Sequence, residues 1–295
     1  MRDVLRLGAL LACVALATSR LGLLAHELVG HGGTALAVGA KVTDVRLFWF
    51  AGGWIRYVGA PGVGAALAIA MGGIALETVC GTVLWLAVRG DSLGRRLLRG
   101  IGAALVLHAS WYLATGAFSG FGDGVLLYRE LGDARVPVAI AAGAITCGAA
   151  FLGAREVLGA LAATQRHRIA GTLGAIALAA GLHAGLAIGE LLVRRDRTYT
   201  ETMRPERERV IAQEIVRWEA ANPEAQAAAR AAETQRIEEA HPHTFPFVIA
   251  LALATAASVL AGAFRAKPGQ GGITRRLLLQ WAVTAVIAIA IVIAV

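Results

Sequence analysis

Long apolar runs separated by short polar loops make up most of the chain. Candidate helical runs cover residues 4–40, 62–88, 98–118, 137–161, 169–193, 247–264 and 277–295. A helix of about 20 apolar residues crosses the roughly 30 Å hydrocarbon core of a bilayer. The pattern therefore predicts an all-α polytopic membrane protein with six to eight transmembrane helices. Its first run forms either one long kinked helix or two short helices that meet near Ser19 and Arg20.

A small membrane-associated β-hairpin is expected at residues 41–57, after the first run. Two sets of residues alternate there, Val45, Leu47 and Trp49 against Asp44, Arg46 and Phe48, and a glycine pair follows. Alternation that ends in such a pair is typical of a hairpin. Because an open sheet edge is not tolerated in lipid, we expect this hairpin at the membrane interface or against helices.

Residues 194–245 are polar and alanine-rich, and prolines 205 and 223 stand where helices begin. This segment predicts a soluble helical hairpin, which is either a lid or substrate-docking element or a solvated spacer. The chain thus divides into a membrane core of residues 1–193, this insertion of residues 194–245, and a C-terminal pair of transmembrane helices in residues 246–295.

Composition excludes a soluble globular protein and indicates a lipid bilayer, not nucleic acid, as the partner. The 295-residue chain is 57% hydrophobic, with a mean hydropathy of +0.64. Many of the arginines behind its net charge of +8 lie in short loops between apolar runs, as positive-inside bias predicts. The expected location is a bacterial cytoplasmic membrane, which the chain crosses several times.

The candidate chemistry lies in the first run, where the sequence L-A-H-E-L-V-G-H-G-G contains His26, Glu27 and His31. Ionisable side chains at membrane depth cost several kcal/mol unless they are partnered, so such a group marks a functional site by default. Imidazole and carboxylate groups are metal ligands, and a metal ion is their natural partner.

The spacing of the histidines leaves two geometries open. In the common zinc motif His-Glu-x-x-His, they are four residues apart and share one helix face. His26 and His31 are five residues apart, which on a regular helix separates them by about 140°. A one-residue π-bulge near Gly30 would bring both imidazoles to one ion. A regular helix would instead bring Glu27 and His31 together.

A third ligand must come from elsewhere, and Asp123 is the best candidate because it lies between Gly122 and Gly124 at the end of an apolar run. The alternative is a turn in which this aspartate merely caps a helix. Four further residues of the apolar runs receive weaker assignments. Glu77 and His108 are candidates for orienting the ligands, Glu190 is a carboxylate near the interface, and His183 is more simply a core histidine.

These features together resemble the site-2 protease family of intramembrane zinc metalloproteases. The resemblance covers residues 21–128. It rests on the apolar H-E-L-V-G-H helix, the hairpin sequence G-A-K-V-T-D-V-R-L-F-W-F-A-G-G, the glycine-rich residues 71–81 and the motif Gly122-Asp123-Gly124. The chain departs from the family in one respect, because its two histidines are one residue further apart than in His-Glu-x-x-His.

The resemblance implies a zinc-dependent endopeptidase that hydrolyses peptide bonds within or near a transmembrane segment of a partner protein. His26, His31 and Asp123 would then bind Zn²⁺, and Glu27 would be the general base. The alternative is a catalytically inactive relative that acts as a membrane scaffold or metal-binding protein. A membrane di-iron hydroxylase fits less well, because it needs paired histidine boxes and none of the seven histidines here are adjacent.

Overall fold

The computed structural model describes residues 2–162, 168–241, 245–267 and 273–295. Within these residues, seven helical stretches are long and apolar enough to cross a bilayer. They are Val4–Ala37, Val63–Ala87, Leu93–Ser119, Gly132–Leu158, Leu173–Arg194, Pro246–Phe264 and Arg275–Ala294. The predicted all-α polytopic fold with one small hairpin is confirmed.

The helices before the insertion are α1 (Arg2–Leu24), a π-helix (Ala25–Gly32), α2 (Gly33–Ala37), α3 (Val63–Ala87), α4 (Leu93–Ser119), α5 (Gly124–Glu130), a 3-10 turn (Gly132–Ala134), α6 (Arg135–Ala162) and α7 (Arg168–Arg194). They are followed by α8 (Arg197–Thr202), α9 (Glu206–Ala221), α10 (Ala227–Ala240), α11 (Phe245–Phe264) and α12 (Arg275–Ala294). α4 packs against α3 and α6, α11 covers α6, and α1 packs against α7 and α12. The π-helix packs against α3.

The first span is one continuous helical path, so the interpretation as two short helices is wrong. Its irregularity lies at Ala25–Gly32 and not near Ser19 and Arg20. The Ser19 hydroxyl donates to the Leu16 carbonyl at 3.2 Å, and the Arg20 guanidinium donates to carbonyls of the hairpin turn. Both polar side chains are therefore partnered without a break in the helix.

The hairpin consists of β1 (Lys41–Leu47) and β2 (Gly53–Val58), which pair antiparallel with Leu47 opposite Gly53. β1 ends before Trp49, earlier than the alternation suggests. Residues 48–52 form the hairpin turn, in which the Phe48 N–H donates to the Gly52 carbonyl at 3.0 Å. In this turn, Phe48 is fully buried and Trp49 is half-exposed.

In the insertion, α9 and α10 form a helical hairpin, in which Arg207 near the start of α9 donates to the carbonyl of Glu238 near the end of α10. The start of α9 and the short α8 both contact the membrane core. The Glu206 N–H donates to the Gly120 carbonyl at 2.6 Å. The Thr202 carbonyl at the end of α8 accepts from the Gly122 N–H at 2.8 Å. The ring of Tyr199 in α8 lies 4.8 Å from that of Phe48 in the hairpin turn.

Candidate metal centre

The π-helix turns both histidines of the first span toward one point. Nε2 of His26 and Nε2 of His31 are 3.0 Å apart, and both side chains are buried. A π-helix adds a residue to each turn, so positions five apart share a face. Of the two geometries that the spacing leaves open, the π-helical one is present and the regular helix is wrong.

A close approach of two helix backbones accompanies the π-helix. A Cβ added to Gly30 would lie 2.5 Å from Cα of Gly73 and 2.9 Å from the carbonyl oxygen of Gly72, both in α3. A Cβ added to Gly73 would lie 2.6 Å from the imidazole of His26. Only glycine leaves room for this contact, so these positions let the π-helix and the His26 ring lie directly on α3.

Asp123 lies beside both histidines. Its Oδ2 is 3.1 Å from Nε2 of His26 and 3.1 Å from Nε2 of His31. Asp123 is also the residue directly before α5, at its N-cap position, but its side chain makes no capping hydrogen bond to that helix. The helix-capping alternative is therefore wrong, and the carboxylate faces the imidazoles.

The charge state of Asp123 suits metal binding. Burial raises the pKa of this carboxyl, but attraction to His31 and hydrogen bonding to His26 outweigh burial and hold the pKa well below its usual range. A carboxylate must be deprotonated to bind a metal ion. Asp123 is thus an ionised oxygen donor next to two nitrogen donors.

Glu27 adds a carboxylate to the same group. Ligand atoms of His26, Glu27 and His31 all lie within 4.8 Å of one another, and all three side chains are buried. Glu27, His31 and Asp123 line a cavity of about 290 Å³. This buried group could hold a metal ion, and Glu27 faces the space beside it.

The Ile69 carbonyl fixes the orientation of one of the two histidines. It lies 2.6 Å from Nδ1 of His31, and a partner at Nδ1 leaves Nε2 free as a metal donor. Nδ1 of His26 is buried and has no hydrogen-bond partner among the described residues. Oε2 of Glu77 lies 3.6 Å from it and 2.9 Å from Nδ1 of His108. The structure thus brings Glu77 next to His26, with His108 behind it.

Two of the predicted residues lie outside this group, and four residues of its cavity were not predicted. His183, on α7, is not part of the buried metal-binding group found among the described residues. Glu190 contacts the hairpin turn instead of the histidines. Sequence reasoning missed four residues that line the cavity, namely Tyr112 of α4, Thr198 and Thr202 of α8, and Met203 directly after α8. Nothing in the sequence pattern distinguishes them from other tyrosine, threonine and methionine residues.

Fold and site together define a multi-pass helical membrane protein with a buried His-Glu-His group able to hold a metal ion. A comparison with protein-family models, with curated proteins and with solved structures finds no match for this chain.

Proposed function

We propose that this chain is a zinc-dependent intramembrane endopeptidase that cleaves a peptide bond within or near a transmembrane segment of a partner membrane protein. One observation carries the proposal. Three metal-donor atoms, from His26, His31 and Asp123, meet within 3.0 to 3.1 Å of one another beside the Glu27 carboxylate. The resemblance of residues 21–128 to site-2 proteases also supports it.

The donor set fits zinc. Zinc binds imidazole nitrogen and carboxylate oxygen at about 2.0–2.2 Å, so the ligand atoms of a tetrahedral site lie roughly 3.3 Å apart. The three donor atoms here lie close to that separation. Three protein ligands leave one position open, which is characteristic of catalytic zinc sites.

The charges of the cluster favour a cation. Glu27, Glu77 and Asp123 bring three carboxyl groups around two imidazoles between membrane spans. Buried charges are costly unless opposite charge compensates them. A divalent ion at the Nε2 and Oδ2 atoms would supply that charge.

Catalysis would divide between the ion and the side chains. When bound, zinc would polarise the peptide carbonyl and lower the pKa of a water in its open position. Glu27 would accept a proton from the attacking water and deliver it to the leaving amine. The Ile69 carbonyl would hold the His31 imidazole in the orientation that zinc requires, and the Glu77 carboxylate would add negative charge 3.6 Å from Nδ1 of His26.

The cavity favours an extended substrate segment over an intact helix. Its walls include Trp54, Ile55 and Tyr57 of β2 and the end of α8, and its volume is about 290 Å³. An α-helix with side chains is about 10–12 Å across, so a single turn of 5.4 Å occupies roughly 400–600 Å³, more than this cavity offers. The substrate segment would therefore unwind locally before its carbonyl reaches Glu27.

Cleavage by the purified protein tests this function. The full chain is reconstituted in liposomes with single-span reporter peptides, and the products are identified by mass spectrometry. We expect cuts within or near the span, lost on chelation and restored by Zn²⁺. A chain that holds stoichiometric zinc but cuts none of a diverse peptide set would support the inactive scaffold instead.

A further inference from the structure

The hairpin turn is held by charged side chains of two membrane spans. Nη1 of Arg20, in α1, donates to the carbonyls of Phe48 at 2.9 Å and Ala51 at 2.7 Å. The Glu190 carboxylate, in α7, accepts from the N–H groups of Trp49 at 2.6 Å, Phe50 at 2.6 Å and Ala51 at 3.1 Å. Two backbone carbonyls of the turn thus accept hydrogen bonds from the Arg20 cation, and three of its backbone N–H groups donate to the Glu190 anion.

Arg194, one turn after Glu190, completes this arrangement. Its Nε lies 2.9 Å from Oε1 of Glu190, and its Nη1 donates to the Leu47 carbonyl at 3.3 Å. Its guanidinium also lies over the rings of Phe48 and Trp49, at 5.2 Å and 4.7 Å from their centroids. We call Arg20, Glu190 and Arg194 the turn clamp.

The clamp has a physical reason. Backbone polar groups beside transmembrane helices must find partners, because lipid offers none. Glu190 and Arg20 are both buried, at 8% and 4% exposure, and the turn supplies their hydrogen bonds. Hydrogen bonds to charged groups are stronger than neutral ones, so the turn is held firmly.

The position of the clamp connects it to the metal site. β2 begins directly after the turn and forms a wall of the metal-site cavity, with Trp54, Ile55 and Tyr57. A two-stranded sheet is only marginally stable by itself. The location of this wall therefore depends on what anchors the hairpin to the helices.

We propose that Glu190 is a positioning residue, which with Arg20 anchors the hairpin turn between α1 and α7 and so fixes the β2 wall of the substrate cavity. The expected effect of Glu190 on cleavage rests on the proposed protease function, whereas its effect on the hairpin is independent of that function. Glu190 touches none of the proposed zinc ligands, so its loss would disturb substrate binding and leave the metal in place.

Hydrogen exchange in the full chain, in lipid nanodiscs, tests the clamp. In Glu190→Gln we expect the amides of residues 49–51 to exchange at least about tenfold faster, since one hydrogen bond to a charged group changes an opening equilibrium by that factor. The matched control is Glu156→Gln. Glu156 is equally buried, at 8% exposure, and pairs with Arg99 at 2.6 Å, so this variant should leave hairpin exchange unchanged.

Cleavage kinetics and the wild-type protein provide independent readouts. We expect Glu190→Gln to raise KM more than it lowers kcat, with zinc content unchanged. In the wild type, amides 49–51 should exchange at least about tenfold slower than in an unstructured peptide, a measurement that needs no variant. Unprotected wild-type amides, or equal hairpin exchange in both glutamine variants, would overturn the clamp. If the wild type cleaves no peptide, the protease proposal is refuted. The hydrogen-exchange rates of amides 49–51 would still test whether the clamp holds the hairpin turn.

Discussion

Glu27→Gln is expected to abolish peptide cleavage and to leave zinc bound. The amide keeps the size and hydrogen-bonding shape of the side chain but cannot accept a proton from water at neutral pH. General acid–base catalysis contributes about 10²–10⁴-fold in rate, so kcat should fall by that factor. The reporter-peptide assay in liposomes measures kcat, and elemental analysis of the same sample measures zinc.

Glu156→Gln serves as the control for this variant too. It makes the same chemical change at an equally buried glutamate, which pairs with Arg99 near the start of α4, whereas Asp123 follows the end of that helix. This variant should cleave at the wild-type rate. A Glu27→Gln protein that retains most of its activity would exclude Glu27 as the general base.

Gly30→Ala is expected to destabilise the protein and to weaken zinc binding. The new methyl group would lie 2.5 Å from Cα and 2.7 Å from N of Gly73, and these backbone atoms can yield only if the π-helix and α3 move apart. Overpacking of this kind costs about 1–3 kcal/mol in the free energy of unfolding. Because the His26 ring also rests on Gly73, we expect zinc affinity to fall by about 10–100-fold.

Gly33→Ala is the matched control, three residues along the same span. Gly33 has helical torsion angles, with φ −61° and ψ −41°, and an added Cβ meets no atom within 4 Å. Alanine favours a helix over glycine by about 1 kcal/mol, so this variant should be as stable as the wild type or slightly more stable. Thermal unfolding and zinc titration compare the two. Equal stability and equal zinc affinity in both alanine variants would contradict the tight contact between Gly30 and Gly73.

The membrane fold could be predicted closely from the sequence. The thickness of the hydrocarbon core sets the length of a span, so the ends of an uninterrupted apolar run predict the ends of the helix. The run at residues 62–88 corresponds to Val63–Ala87, and that at residues 169–193 to Arg168–Arg194. The hairpin was equally visible, because alternation and a glycine pair are local signals.

The conformation of the first span could not be predicted in the same way. Two geometries for His26 and His31 were consistent with the local sequence. The choice between them depends on the contact of Gly30 with Gly72 and Gly73. These two glycines lie in α3, the next span, about 40 residues later in the sequence. The same limit applies to Asp123, whose sequence suits a helix cap as well as a ligand and whose direction depends on distant histidines.

The roles of Glu190 and α8 were hidden for a related reason. The Glu190 carboxylate accepts hydrogen bonds from residues about 140 positions earlier in the chain. Local sequence patterns do not predict contacts between such distant residues. The polar character of residues 194–245 predicted a soluble helical hairpin and left open whether it is a lid or substrate-docking element or a solvated spacer. In the structure, Thr198 and Thr202 of α8 line the metal-site cavity. Composition distinguishes a polar segment from a membrane span but does not show where that segment docks.

The zinc content of the purified protein tests the central claim most directly. We predict one zinc ion per chain in the wild type, lost in each of His26→Ala, His31→Ala and Asp123→Ala. The controls His183→Ala and Asp133→Ala change residues outside the group and should keep the metal. A wild-type chain that binds no divalent ion on titration, or an Asp123→Ala variant with undiminished zinc affinity, would contradict a metal centre built from these three residues.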